Sequence, residues 1–259
     1  MSVKHKRGSA QHELKESIVT YVSSSREVDR ERDLVRRART AASAEELVKV
    51  IKDSSMLNDL IKSQVIIEAI KNPAADSDVF LAAASEAAYF DYGYDSSKVL
   101  IQVARKTTDP AVLSNVVVNA MHLGSHNSID SAGVITEILN NAHANSDVFL
   151  AAASGAAHFN YSSDGSKVLI QVARKTTDPA VLSNVVVNAM HLGSHSSGDK
   201  VRVITEVLNN AHADKSVLFT VLQYLDYFRS AFDIQDIAAK VMANPHADKD
   251  MLMVAARRK

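Results

Sequence analysis

The stretch Lys98–His126 reads KVLIQVARKTTDPAVLSNVVVNAMHLGSH, and Lys167–His195 repeats it residue for residue. The offset is 69 residues, and it holds beyond the copied block. Ser77-Asp78-Val79-Phe80-Leu81 returns as Ser146–Leu150, and Val134-Ile135-Thr136-Glu137 as Val203–Glu206. Self-similarity at a fixed period marks a repeat architecture and outranks local propensity. Each 69-residue unit divides again, one half running from about 97 to 130 and the other from 131 to 165. Both halves share one grammar: an apolar helix, a polar turn, a second apolar helix and a polar loop.

The turns align as Thr108-Asp109-Pro110, Ala144-Asn145-Ser146 and Ala213-Asp214-Lys215, with outer copies at Asn72–Asp76 and Asn244–Asp248. Asp, Asn or Ser at this place can cap a helix by accepting a backbone N–H bond. Pro110 suits a first helical turn. Gly124 and Gly193 follow the second helices, where a left-handed cap favours glycine. Within the second helix, Val112, Leu113, Val116, Val117, Ala120 and Leu123 form one broad helical face. The β-branched run Val116-Val117-Val118 favours a strand, but the aligned segment Ala151-Ala152-Ala153 is strongly helical, so helix is expected in both.

A helix pair this short cannot bury its own apolar face, whereas stacked pairs cover one another. The expected fold is all-α: a right-handed α-solenoid of two-helix repeats of about 34 residues, with two repeat types alternating in the 69-residue unit. Repeats are expected at 27–61, 62–96, 97–130, 131–165, 166–199, 200–233 and 234–259, the last stopping within its second helix. Residues 1–26 are expected to form a tail and an N-terminal capping helix at 11–23, with 1–9 disordered.

Composition fits this reading. The chain has 8 Gly and 4 Pro in 259 residues, too few turn formers for a many-stranded β fold. It has no cysteine, which excludes disulfides, thiolate metal sites and cysteine nucleophiles. The formal net charge of −1 exerts no global pull toward nucleic acid or anionic membrane. No apolar h-region follows the basic start and no run approaches a membrane span, so a cytoplasmic protein without a cleavable signal is expected.

Turns such as Asn244-Pro245-His246-Ala247-Asp248, each followed by an apolar helix as in Met251-Leu252-Met253-Val254, together with the helix-pair period, resemble the HEAT, armadillo and leucine-rich-repeat-variant α-solenoids. The resemblance is architectural and covers about residues 30–259. It implies a scaffold or recognition surface, with the second helices lining the concave side. The period also matches tetratricopeptide repeats, but their Trp, Gly and Tyr landmarks are missing and the chain has no Trp.

No phosphate-binding loop, dinucleotide fingerprint or nucleophile elbow occurs, so a non-enzyme without cofactor is expected. His122/His126 and His191/His195 have the i, i+4 spacing of a metal pair, but the intervening glycine breaks the helix that would give the spacing meaning. Exact duplication also copies a histidine pair with no functional need for two. Arg105-Lys106 and Arg174-Lys175 end first helices and could track a phosphate backbone, which is the alternative, nucleic-acid-binding reading. Arg30, Arg32, Arg36, Arg37 and Arg39 interleave with Glu27, Asp29, Glu31 and Asp33, the pattern of a salt-bridged exposed helix.

Aligning the second helices by their turns yields a ladder. One column reads Tyr89, His122, His158, His191, Tyr227. The next, one turn back, reads Glu86, Asn119, Gly155, Asn188, Tyr224, and a third reads Ala82, Asn115, Ala151, Asn184, Thr220. Tyr and His pair an apolar body with a polar tip, which suits a partner interface; they equally suit half-buried packing between repeats. The leading expectation is a non-catalytic scaffold whose protein or peptide partner meets Tyr89, Asn115, Asn119, His122, His158, Asn184, Asn188, His191, Tyr224 and Tyr227. Near-identical repeats mark recent duplication or homogenisation, which by analogy suggests a host-interacting bacterial protein delivered into a host cell.

Overall fold

The computed structural model describes residues 28–123, 128–159, 161–193, 197–228 and 230–257; the expected tail and capping helix of 1–26 lie outside them. Among the described residues there is no strand, and fourteen α-helices follow one another. They are α1 (28–40), α2 (Ala44–Asp53), α3 (Asp59–Lys71), α4 (Ser77–Ala87), α5 (Gly93–Lys106), α6 (Pro110–Met121) and α7 (Ser128–Asn140). Then come α8 (Ser146–Ala156), α9 (Ser162–Lys175), α10 (Pro179–His191), α11 (Ser197–Asn209), α12 (Lys215–Gln223), α13 (Ala231–Ala243) and α14 (Lys249–Ala256). A 3₁₀ turn at Leu225–Tyr227 follows α12.

Every even-numbered helix starts on a side chain that accepts a hydrogen bond from its first turn. These are Ser43, Asp76, Asp109, Asn145, Asp178, Asp214 and Asp248. A cap of this kind contributes roughly 1 kcal/mol. Pro110 and Pro179 sit in the first turn, where the missing N–H costs nothing. The Val116–Val118 run is helical, as expected, because Val112, Leu113, Val116, Val117 and Ala120 are wholly buried on one face. Tertiary burial thus overrides β propensity. Gly193 does not adopt the left-handed conformation expected of it: α10 closes at Leu192 with an ordinary negative φ of −58°. Gly124 lies outside the described residues.

Odd helices pack against odd and even against even, so the chain is an α-solenoid of two helical layers with the core between them. From α3 onward the helix pairs begin three to four residues before the expected repeat boundaries, because the polar residues leading into each of these odd helices already belong to its first turn. The last helix among the described residues, α14, spans Lys249–Ala256.

The alternation of repeat types has a packing cause. In α4 and α8 the buried face is small: Val79, Ala83, Ala84 and Ala87, and Val148, Ala152, Ala153 and Ala156. In α6 and α10 it is large, with Val112, Leu113, Val116 and Val117 and their copies Val181, Leu182, Val185 and Val186. From α4 to α10 small faces meet large ones along the even layer, which fills space without clash, whereas α12 sets Val217, Leu218, Val221 and Leu222 against the large face of α10. Gly155 extends the rule: a Cβ there would come within 2.3 Å of the Met121 thioether, which occupies that space.

Asparagines lock successive repeats together. Asn72 donates to the carbonyls of Ala38, Arg39 and Ala41 across the repeat boundary. Asn141 donates to Ala104 (2.7 Å) and Thr107 (3.0 Å), and Asn210 to Ala173 (2.6 Å) and Thr176 (3.0 Å). Each amide oxygen accepts the backbone N–H two residues on. One side chain thereby ends the preceding odd helix and shapes its own turn, satisfying carbonyls that a helix end leaves open.

Candidate interaction surface

The two edges of the solenoid differ in chemistry. The turns within each pair lie at one edge and the loops between pairs at the other. The within-pair edge is built of charge. Arg105 binds Glu137 through two bonds of 2.9 Å, and Arg174 binds Glu206 through bonds of 2.8 and 2.6 Å. Arg39 pairs with Glu68 across repeats through one bond of 2.7 Å. Hydrogen bonds from these arginines hold the Glu68, Glu137 and Glu206 carboxyls below their ordinary range. The two arginines proposed to meet phosphates are therefore already engaged by fork-to-carboxylate pairs, while Lys106 and Lys175 beside them are exposed. Of the interleaved charges, Arg36 pairs with Asp33 within α1, whereas Arg37 reaches Asp53 of α2 and Arg39 reaches Glu68 of α3.

The ladder falls at the opposite edge. Its first column sits at the C-terminal ends of the even helices: His122 caps α6, His191 is the last residue of α10, and Tyr89, His158 and Tyr227 lie just beyond α4, α8 and α12. All five are exposed, Tyr89 by 80% and Tyr227 by 62%. The His122 ring bonds the Val118 carbonyl at 2.8 Å, a local bond of the last turn. Among the described residues no cluster of three potential metal ligands forms, and His126 and His195 lie outside them.

The other two columns run back into the helix bodies and are half-buried. Asn119 donates to the Asn115 amide oxygen and Asn188 to that of Asn184, both at 2.8 Å. Gly155 is buried under Met121, and Tyr224 is half-buried with its ring 5.3 Å from that of Tyr227. The expected binding residues are thus divided. Tyr89, His122, His158, His191 and Tyr227 offer free surface. Asn115, Asn119, Asn184 and Asn188 spend polar atoms on one another within their helices.

The loops between pairs supply what the ladder lacked. Tyr92 and Tyr94 precede and open α5, Tyr161 precedes α9, and Phe232 lies in the first turn of α13. They are 70, 64, 61 and 77% exposed. Every tyrosine among the described residues lies at this edge. Tyr92 and Tyr161 are equivalent positions, 69 residues apart, and both occupy the N-cap of a helix without forming a cap bond. Ser, Asp or Asn would be more stable there. The signal was present in the sequence as aromatics placed in loops, where burial gives them no purpose; alignment of second helices alone passed over it.

A comparison of the chain with known family profiles, with curated proteins and with solved structures found no match to any of them.

Proposed function

We propose that the chain is a non-catalytic recognition scaffold that holds a protein or peptide partner along the edge formed by the even-helix C-termini and the inter-pair loops. The observation that carries this reading is the pair Tyr92 and Tyr161: exposed aromatics at cap positions where a better cap residue is available. Positions that break a local rule without structural gain are where function is sought. Tyr89, His122, His158, His191 and Tyr227 extend the same edge. Exposed tyrosine is well suited to partner contact, because it covers much area at small entropic cost. The HEAT, armadillo and leucine-rich-repeat-variant resemblance supports the reading by architecture, and a host-interacting role remains its analogy.

Display selection from a random peptide library tests it. Wild-type chain should enrich a peptide family, and a variant with His122, His158 and His191 all changed to alanine should lose capture while keeping its helical signal. Failure to enrich any family, or full capture by that variant, contradicts the assignment.

A further inference from the structure

Resting on that scaffold reading, we infer that the edge recognises an extended peptide bearing Lys or Arg, taken up over the faces of its tyrosine rings. Three observations lead there.

The first is charge. The inter-pair segments 54–61, 88–96, 122–131, 157–165, 192–200 and 224–234 contain eight aspartates, no glutamate, four histidines and only two Lys or Arg residues, Lys200 and Arg229. Lys200 is buried, with Nζ donating to the Met190 carbonyl. Four of the aspartates are matched by a Lys or Arg three residues on, in the first turns of odd helices. Asp91 is exposed, enters no ion pair among the described residues, and lies between Tyr89 and Tyr92. Aromatic faces flanked by acid favour a cation and repel an acidic partner.

The second is that the edge already uses this chemistry on itself. Lys98 Nζ lies 4.0 Å from the centroid of the Tyr94 ring, and Lys62 Nζ lies 4.8 Å from that of Phe90. Tyr94 and Phe90 are therefore occupied. Tyr89, Tyr92, Tyr161 and Tyr227 are exposed, and no lysine or arginine covers them among the described residues.

The third is spacing. Aromatics concentrate in the segments 88–96, 157–165 and 224–234, and are absent from 122–131 and 192–200. Aromatic rungs therefore recur every second helix pair. Helices pack roughly 8–10 Å apart, so successive rungs are about 20 Å apart. An extended chain advances roughly 3.3 Å per residue, which places one cation on each rung when cations are about six residues apart.

The test uses a Gly-Ser peptide with three arginines six residues apart, and the same peptide carrying glutamate or leucine in their place. The chain has no Trp, and six of its seven tyrosines lie at this edge, Tyr21 being outside the described residues, so tyrosine emission reports chiefly on the edge, with calorimetry as the second reading. The arginine peptide should bind at least tenfold tighter than the glutamate peptide. Tyr92→Ser, Tyr161→Ser and Tyr227→Ser together should weaken it by roughly 10- to 100-fold, each lost contact being worth about 2- to 5-fold. Tyr92→Ser and Tyr161→Ser place good caps at α5 and α9, so the thermal midpoint should hold or rise by a few °C while binding falls. Phenylalanine in the same three places should retain most of the affinity, since the ring face makes the contact.

Equal binding of the arginine and glutamate peptides overturns the inference, as does full affinity in the serine variant. Loss in the phenylalanine variant as large as in the serine variant also overturns it. If library selection enriches peptides without Lys or Arg that the serine variant no longer captures, the scaffold reading stands and the cationic partner falls. If selection enriches nothing, both fall.

Discussion

Replacing Asn141 by alanine removes three hydrogen bonds at once. Its amide nitrogen serves the Ala104 and Thr107 carbonyls at 2.7 and 3.0 Å, and its amide oxygen accepts the His143 N–H at 2.8 Å. Each is worth about 0.5–1.5 kcal/mol net, and partly buried groups left unpaired add to the cost, so a loss of about 2–4 kcal/mol is expected. Aspartate retains the acceptor for His143 but replaces the donor with a carboxylate aimed at carbonyls, at the negative end of α5. Asn141→Asp should therefore be worse than Asn141→Ala. Asn210 makes the same three bonds one unit later, so Asn210→Ala should match Asn141→Ala within about 0.5 kcal/mol. Urea unfolding followed by helical circular dichroism measures all three. In a solenoid each repeat is held by its neighbours, so the transition should broaden as well as shift. A loss below about 0.5 kcal/mol, or an aspartate variant milder than alanine, would refute the assignment of Asn141 as an inter-repeat clamp.

Gly155 in α8 and Gly165 in α9 offer a contrast. A Cβ on Gly165 would meet the Ala156 carbonyl at 2.5 Å and Leu192 Cδ2 at 2.8 Å, so Gly165→Ala should cost about 1–3 kcal/mol by overpacking against backbone. The three atoms nearest a Cβ on Gly155 all belong to the flexible Met121 side chain, which can move aside, and the better helix propensity of alanine offsets the crowding, so Gly155→Ala should be near neutral in thermal unfolding. Equal effects at the two sites would contradict this account. For pH, Glu137 and Glu206 titrate below their unfolded values because Arg105 and Arg174 bond them. Their contribution is full above about pH 4.3 and is lost as pH falls through the lower folded values. Glu137→Gln with Glu206→Gln should cost little at pH 7, since solvent screens the exposed arginine partners, and should flatten the stability loss as pH falls below about 4.3. An unchanged acid profile would show that the pairs contribute nothing.

What the sequence made legible, and what it hid, follows from the range over which each signal acts. Helix caps at Asp76, Asp109 and Asp178 are local, and a local reading finds them. The layers follow from periodicity, because a face that reads i, i+1, i+4, i+5 has to be covered by the next copy. The Asn141 clamp was hidden because its partners lie 34 and 37 residues away, and an asparagine in a polar turn looks like any other turn residue. The arginine pairs were misleading for the same reason: Arg105 reads as an exposed basic end until Glu137, 32 residues on, is brought beside it. The ladder shows the limit of aligning by one element. Counting from the caps of the even helices recovered Tyr89, His122, His158, His191 and Tyr227, which share a distance from those caps. Tyr92 and Tyr161 belong to the odd helices and fall outside that frame, although a solenoid brings both sets to one edge. Exposure then separates them from Asn115 and Asn119, which fit the same helical spacing but turn inward to each other. A repeat sequence therefore fixes which residues recur. The edge at which they recur depends on where two consecutive helices meet, and there the tyrosines occupy cap positions that a residue chosen for stability alone would fill.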